Sequence, residues 1–179
     1  FKITANAGEV VYLTTSLKAK TQASATKITP AYVAKCPFNF AQADVKIGGA
    51  SFGQVEALEI EYANNLDLLH TLASNDPQFK YLGGSEISGS MDLYLDSTTL
   101  AQYNAYLAKT EQEIKLTLTG EAIGIASNYK FVLTIPRSII TTATRELTED
   151  YHKLTIEFQG LYDYVTSKLV EVVVTNLLP

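Results

Sequence analysis

Two histidines, a single cysteine and two glutamates on one strand face are the side chains best suited to chemistry in this 179-residue chain. A nucleophile needs a base within hydrogen-bond reach. His70 falls in a long apolar connection and His152 in a strand beside Tyr151, and a lone histidine in either setting reads as structural. Cys36 has Lys35 beside it, the kind of neighbour a reactive thiol needs, but Pro37 and Phe38 predict a packed, inert one. No Gly-x-Ser-x-Gly elbow occurs. Gly84 and Gly89 have the spacing of a phosphate loop, yet Ser90-Met91 stands where Lys-Ser/Thr is required. The segment also leads into a strand, whereas a phosphate cradle needs a helix N-terminus. Glu59 and Glu61 would suit a hard cation, though two carboxylates on one strand more often make a solvated face. Neither CxxC nor HxxxH is present. No catalytic residue, metal ligand or cofactor is expected, and the chain does not read as an enzyme.

Composition narrows the class further. Hydrophobic residues make up 46% of the chain, ordinary for one globular domain. One cysteine excludes an internal disulfide, which suits a reducing compartment or indifference to redox state. No apolar run is long enough to span a membrane and no signal peptide opens the chain; Phe1 in place of Met suggests a trimmed or processed start. Residues 1–50 carry six Lys against two acids, whereas the remainder carries 17 acids against eight Lys and Arg. This asymmetry fits a basic arm docking on an acidic body, or a lysine-solubilised leader. The strand faces carry Ser, Thr, Asp and Glu, not the basic stripe of a DNA reader.

The elements that position these residues are mostly strands. In 87–95, Ile87, Met91, Leu93 and Leu95 alternate with Ser88, Ser90, Asp92 and Tyr94, the period of a strand with one buried face. Asp96 to Thr99 are capping types, and Leu100, Tyr103 and Leu107 recur at helical spacing, so a short helix is expected near 97–109, resting on that stripe. Ile114, Leu116 and Leu118 resume the alternation against Thr117 and Thr119. Further strands are expected at 9–17, 44–47, 55–62, 129–135 (ended by Pro136), 150–159 and 168–175. The segment 64–85 is apolar but broken by Asn64-Asn65, Asn75-Asp76-Pro77 and Gly83-Gly84, and reads as a long loop with a helical turn near 67–73. The expected fold is mainly β: an antiparallel β-sandwich or partly closed barrel of seven or eight strands, one flanking α-helix, an extended loop and terminal arms. Residues 1–40 form an arm with a first strand, and 41–179 the sandwich.

Four stretches carry a resemblance to a family: Asn64-Asn65-Leu66 after a strand; 89–96, a strand ending in an acid before a helix; 131–136, ending in Pro136; and 154–163, a strand closing into a turn. Over 40–165, without the basic leader, this order resembles the tail tube proteins of long-tailed bacteriophages and the inner-tube proteins of contractile injection machines. The resemblance implies a structural subunit of the virion tail, assembled in the host cytoplasm. It implies hexameric rings of this chain stacked head to tail, a tape-measure protein in the lumen during assembly, and DNA leaving through it without sequence-specific binding. Membrane insertion is not implied. Expected lumen-facing residues are Glu59, Glu61, Ser88, Ser90, Asp92, Thr117, Thr119, Thr155 and Glu157. Contacts between subunits are expected from Leu66, Leu68, Leu69, Leu72, Phe79 and Tyr81 in the long loop and from Lys18, Lys20 and Lys27 in the leader. A distal tail, terminator or secreted tube-like protein remains open as an alternative, as does a ligand-binding β-sandwich.

Overall fold

The computed structural model describes residues 1–19, 36–72, 74–123, 127–147 and 151–176, with the backbone alone at 70 and 74–82. In chain order the elements are β1 Lys2–Asn6, β2 Tyr12–Thr14, a 3₁₀ turn Phe40–Gln42, β3 Ala43–Ile47, β4 Ala50–Ser51, β5 Val55–Ala63, β6 Leu66–Thr71, β7 Ser74–Leu82, β8 Glu86–Tyr94, α1 Leu100–Ala108, β9 Gln112–Ala122, β10 Asn128–Leu147, β11 His152–Leu161 and β12 Glu171–Thr175. One antiparallel sheet runs β2-β1-β5-β8-β11-β10-β9-β3-β4, with β12 also on β10; among the described residues β6 and β7 pair only with each other. The sheet does not close, so the fold is a mainly antiparallel β-sandwich with one helix. Twelve strands are present among the described residues, against the seven or eight expected.

The 20-residue β10 joins two limbs of this sheet. Its first half pairs with β9 and β12, and its second half with β11. Alternation in each strand turns one set of apolar side chains inward. Ile3, Leu58, Ile60, Ile87, Met91, Leu93, Leu154, Ile156 and Phe158 come from one limb. Val45, Ile47, Ile114, Leu116, Leu118, Leu133 and Ile135 come from the other, and both sets meet in one core. Two glycines let the core close. A Cβ on Gly89 would lie 2.3 Å from the Glu59 carbonyl oxygen and 2.5 Å from Phe158 Cζ; one on Gly160 would lie 2.1 Å from Ile87 Cγ2.

Pro136 does not end its strand as expected. It sits in the register shift between Ile135 and Ser138, just before β11 begins pairing at Arg137, where no backbone donor is required. The leader also departs from expectation, because β1 lies inside the sheet between β2 and β5 and buries Ile3 and Ala5. The segment read as a loop with a helical turn is the β6–β7 hairpin. Its Asn and Gly breakers form the neck: Gly83 N–H donates to the Asn65 carbonyl at 3.0 Å, and Asn65 Nδ2 donates to the Gly84 carbonyl at 2.9 Å.

The helix forms where expected but rests on another face. Leu100 and Leu107 are exposed, while Gln102 is buried and Tyr103 and Tyr106 pack on the core. Its start explains the rotation. The Asp96 carboxylate accepts the N–H groups of Thr98 (2.7 Å) and Thr99 (2.8 Å), and Thr99 Oγ1 donates to the Tyr94 carbonyl at 3.0 Å. This pins the fully buried Thr99 inward, so positions three and seven residues later follow it. The Arg145 guanidinium then lies 3.5 Å from the Tyr103 ring centroid, tying α1 to β10. Left-handed Lys109 (φ 51°) ends the helix. Cys36, expected to be packed, is exposed. No described helix is long and apolar enough to cross a membrane.

Candidate functional site

Opposite the core, β1, β5, β8, β11 and the second half of β10 present one continuous polar face. Its side chains align in rows across the strands. Thr4, Glu59, Ser90, Glu157 and Thr142 form one row; Lys2, Glu61, Ser88 and Gln159 the next; Asn6, Ala57, Asp92, Thr155 and Thr144 a third. Seven of the nine expected lumen residues fall in these rows. Thr117 and Thr119 do not: they lie on β9 in the other limb, opposite Val132 and Lys130.

The face is ordered by a few charges. Lys2 Nζ pairs with Glu59 at 2.6 Å. Lys153 Nζ lies between Asp92 (2.8 Å) and Glu56 (3.0 Å), and Thr155 Oγ1 donates to Asp92 at 2.7 Å. The hydrogen bond to Asp92, then that to Glu56, holds the Lys153 amine well above its ordinary value, so it stays charged. Glu61 and Glu157 have no cationic partner among the described residues. Carboxylates (Glu56, Glu59, Glu61, Asp92 and Glu157, with Glu86 and Glu146 on the same parity) therefore outnumber the lysines Lys2 and Lys153, leaving the surface acidic. Between the longer side chains of β5 and β11, the short Ser88, Gly89 and Ser90 floor an open hollow of about 400 Å³. No group of described residues could hold a metal ion, and the hollow offers polar oxygens and carboxylates without a nucleophile–base pair.

The expected contact residues distribute unevenly. Leu66 and Leu68 on β6 are half-buried, whereas Leu69 and Leu72 are exposed. Phe79 and Tyr81 are on β7, where only the backbone is described. Lys18 Nζ donates to the Leu66 carbonyl at 2.7 Å and lies 4.0 Å from Asp67, tying the leader to the hairpin. Lys20 and Lys27 lie outside the described residues. His152 is exposed at the start of β11. Sequence reasoning missed Lys2 and Lys153 as members of the polar face. The parity of 152–161 was the available signal for Lys153, which alternates with Leu154, Ile156 and Phe158.

The sequence model of one family, described as phage tail tube protein, matches residues 1–160. The chain belongs to that family. The match includes the N-terminal strand and so begins ahead of the 40–165 span of the resemblance. A phage tail tube protein is a structural component of the virion tail. Among solved structures, the chain is similar to one from the virion of the native gene transfer agent particle. The TM-score is 0.50 at 12% identity, covering 77% of this chain and 98% of that one, which is a likeness of fold. It also matches the SPP1 tail tube (TM-score 0.47, 14% identity, 70% of this chain and 82% of that one). A third match is an Hcp protein (TM-score 0.39, 12% identity, 74% and 98%). No curated protein matches this tail tube protein in sequence.

Proposed function

We propose that this tail tube protein polymerises into a hollow tube, its copies joining edge to edge in hexameric rings that stack head to tail. The acidic five-strand face lines the lumen. A tape-measure protein occupies the lumen while the tail is built in the host cytoplasm, and DNA leaves through it.

The polar face and its two open borders carry this reading. The limb that bears the face ends at β2 on one side. On the other side, residues 139–147 of β10 pair only with β11 among the described strands. An open edge presents unpaired N–H and C=O groups, a liability in a monomer and a joint in a ring. Two different edges on one molecule make a heterologous contact, which closes when the rotation between copies fits a ring. Excess carboxylate along the wall repels phosphate, so a passing duplex is not held.

Electron microscopy of the purified protein tests the proposal. Hollow tubes built of stacked rings are expected. A protein that stays monomeric at high concentration overturns it, and isolated single rings favour a distal tail or terminator role.

A further inference from the structure

The two borders of the polar-faced limb are complementary in strand sense. With β2, this limb holds β2, β1, β5, β8, β11 and β10, each antiparallel to the next. An even number of alternating strands leaves β2 and β10 running in opposite senses. Rotation about a ring axis preserves the sense of a strand along that axis. A neighbour's β2 laid beside residues 141–147 of β10 therefore meets them antiparallel, the more stable ladder. The other limb fails this condition. Its described strands, β12, β10, β9, β3 and β4, are odd in number, so its borders would meet parallel. Strand β4 also offers only two residues.

Side chains at the two borders match face by face. Leu13 lies opposite Ile3 and so belongs to the core layer, yet it is 61% exposed. At the other border, Ala143, Arg145 and Leu147 share the core parity of Leu154 and Ile156. Ala143 packs on the core, whereas Leu147 is 75% exposed. Apolar side chains of the core layer left bare at an open border mark a layer that lacks its next strand. On the polar side, Tyr12 and Thr14 stand beside Thr4 and Lys2, and Thr142 and Thr144 end their rows at the far border. Residues 10–17 carry no charge, so a joint here opposes no like charges. Apart from the isolated bridge of Val10 with Asn39, β2 pairs among the described residues only with β1.

We infer that residues 12–17 of one copy pair antiparallel with residues 141–147 of the next. Leu13 joins the layer of Ala143 and Leu147, while Tyr12 and Thr14 continue the polar face. The occupant is a second copy because both borders belong to this chain and agree in direction, face and charge. The inference rests on the tube reading above and gives its ring joint a limb, a strand direction and a buried side. The borders at β12 and β4 take no part in it.

Crosslinking in a Cys36→Ser background tests the joint. A bis-maleimide spanning about 5–8 Å reaches only directly or diagonally opposed side chains on one face. Applied to assembled protein carrying Thr14→Cys and Thr144→Cys, it should give a covalent series that ends at the copy number of the ring. Leu13→Cys with Thr144→Cys puts the thiols on opposite faces and should give none. Tubes of the first variant without crosslinks, or equal crosslinking of both variants, overturn the joint and leave the tube reading in place. Leu13→Asp should leave the melt of the monomer unchanged and raise the concentration at which rings appear by about tenfold or more. Val173→Asp, on the β12 face turned away from the core, should not. Unchanged assembly of Leu13→Asp, or loss of rings in Val173→Asp, also overturns the joint. A parent protein that stays monomeric removes both readings.

Discussion

The ring of Phe158 occupies the space a side chain on Gly89 would need. The two residues are paired across β11 and β8, and a Cβ at Gly89 would fall 2.5 Å from Phe158 Cζ. This exchange of a small residue for a large one lets the central strand of the polar-faced limb press against the core without a bulge.

Gly89→Ala should therefore destabilise the fold by about 1–3 kcal/mol, the usual cost of overpacking, or more because the Glu59 carbonyl cannot yield. Gly84→Ala is the control, since nothing lies within 4 Å of its added carbon. Thermal or urea melts should show a clear loss for the first and almost none for the second.

Acid should loosen specific turns before it melts the sheet. Three carboxyls are held below their ordinary values. Asp96 is lowered chiefly by the Thr99 N–H, Glu111 by its hydrogen bond with Arg137, and Asp163 by the Thr166 hydroxyl. A lowered carboxyl binds its proton more readily in the unfolded chain, so it stabilises the fold above the ordinary carboxylate range. That contribution is lost as pH falls through the folded value. Hydrogen exchange should show residues 96–99 and 162–168 losing protection below about pH 4, with no comparable change between pH 6 and 9. Asp163→Asn should blunt the acid effect in the second segment alone.

Glu61→Lys with Glu157→Lys should convert a wall that ignores DNA into one that holds it. Among the described residues neither glutamate has a cationic partner, so the change removes no ion pair. Tubes of the variant should bind duplex DNA at low salt and release it as salt rises, while the parent binds none. Equal DNA retention by both would count against the lumen assignment of this face.

Leu69→Asp with Leu72→Asp places two charges on exposed hairpin positions that support no core. The β spectrum and melting temperature should be unchanged, and assembly should fail if the hairpin docks on a neighbour. Normal tubes from this variant would remove the hairpin from the set of subunit contacts.

Much of the fold was readable because burial alternates with a strict period of two. Ile87, Met91 and Leu93, or Leu154, Ile156 and Phe158, show their inward face in the chain itself, and the polar row of Ser88, Ser90 and Asp92 follows from it. Thr117 and Thr119 share that outward parity, yet periodicity carries no information about which limb a strand joins. The hairpin was missed because Asn65, Gly83 and Gly84 look like breaks when taken singly. Only their pairing across the neck gives them a structural role. The face of α1 was set by Thr99, whose hydroxyl reaches back to Tyr94, a bond invisible to a pattern of apolar residues. Pro136 looked like a terminus because its missing donor matters only where a ladder needs one.

The uninterrupted β10 also has a mechanical meaning. Because one strand belongs to both limbs, a displacement of the polar-faced wall is passed to the opposite layer through covalent bonds rather than through side-chain contacts alone. The unpaired position at Pro136 is where the strand can flex without breaking a rung. A tube built from such units should resist torsion and shear as a continuous fabric, its inner and outer skins stitched by a single thread in every subunit.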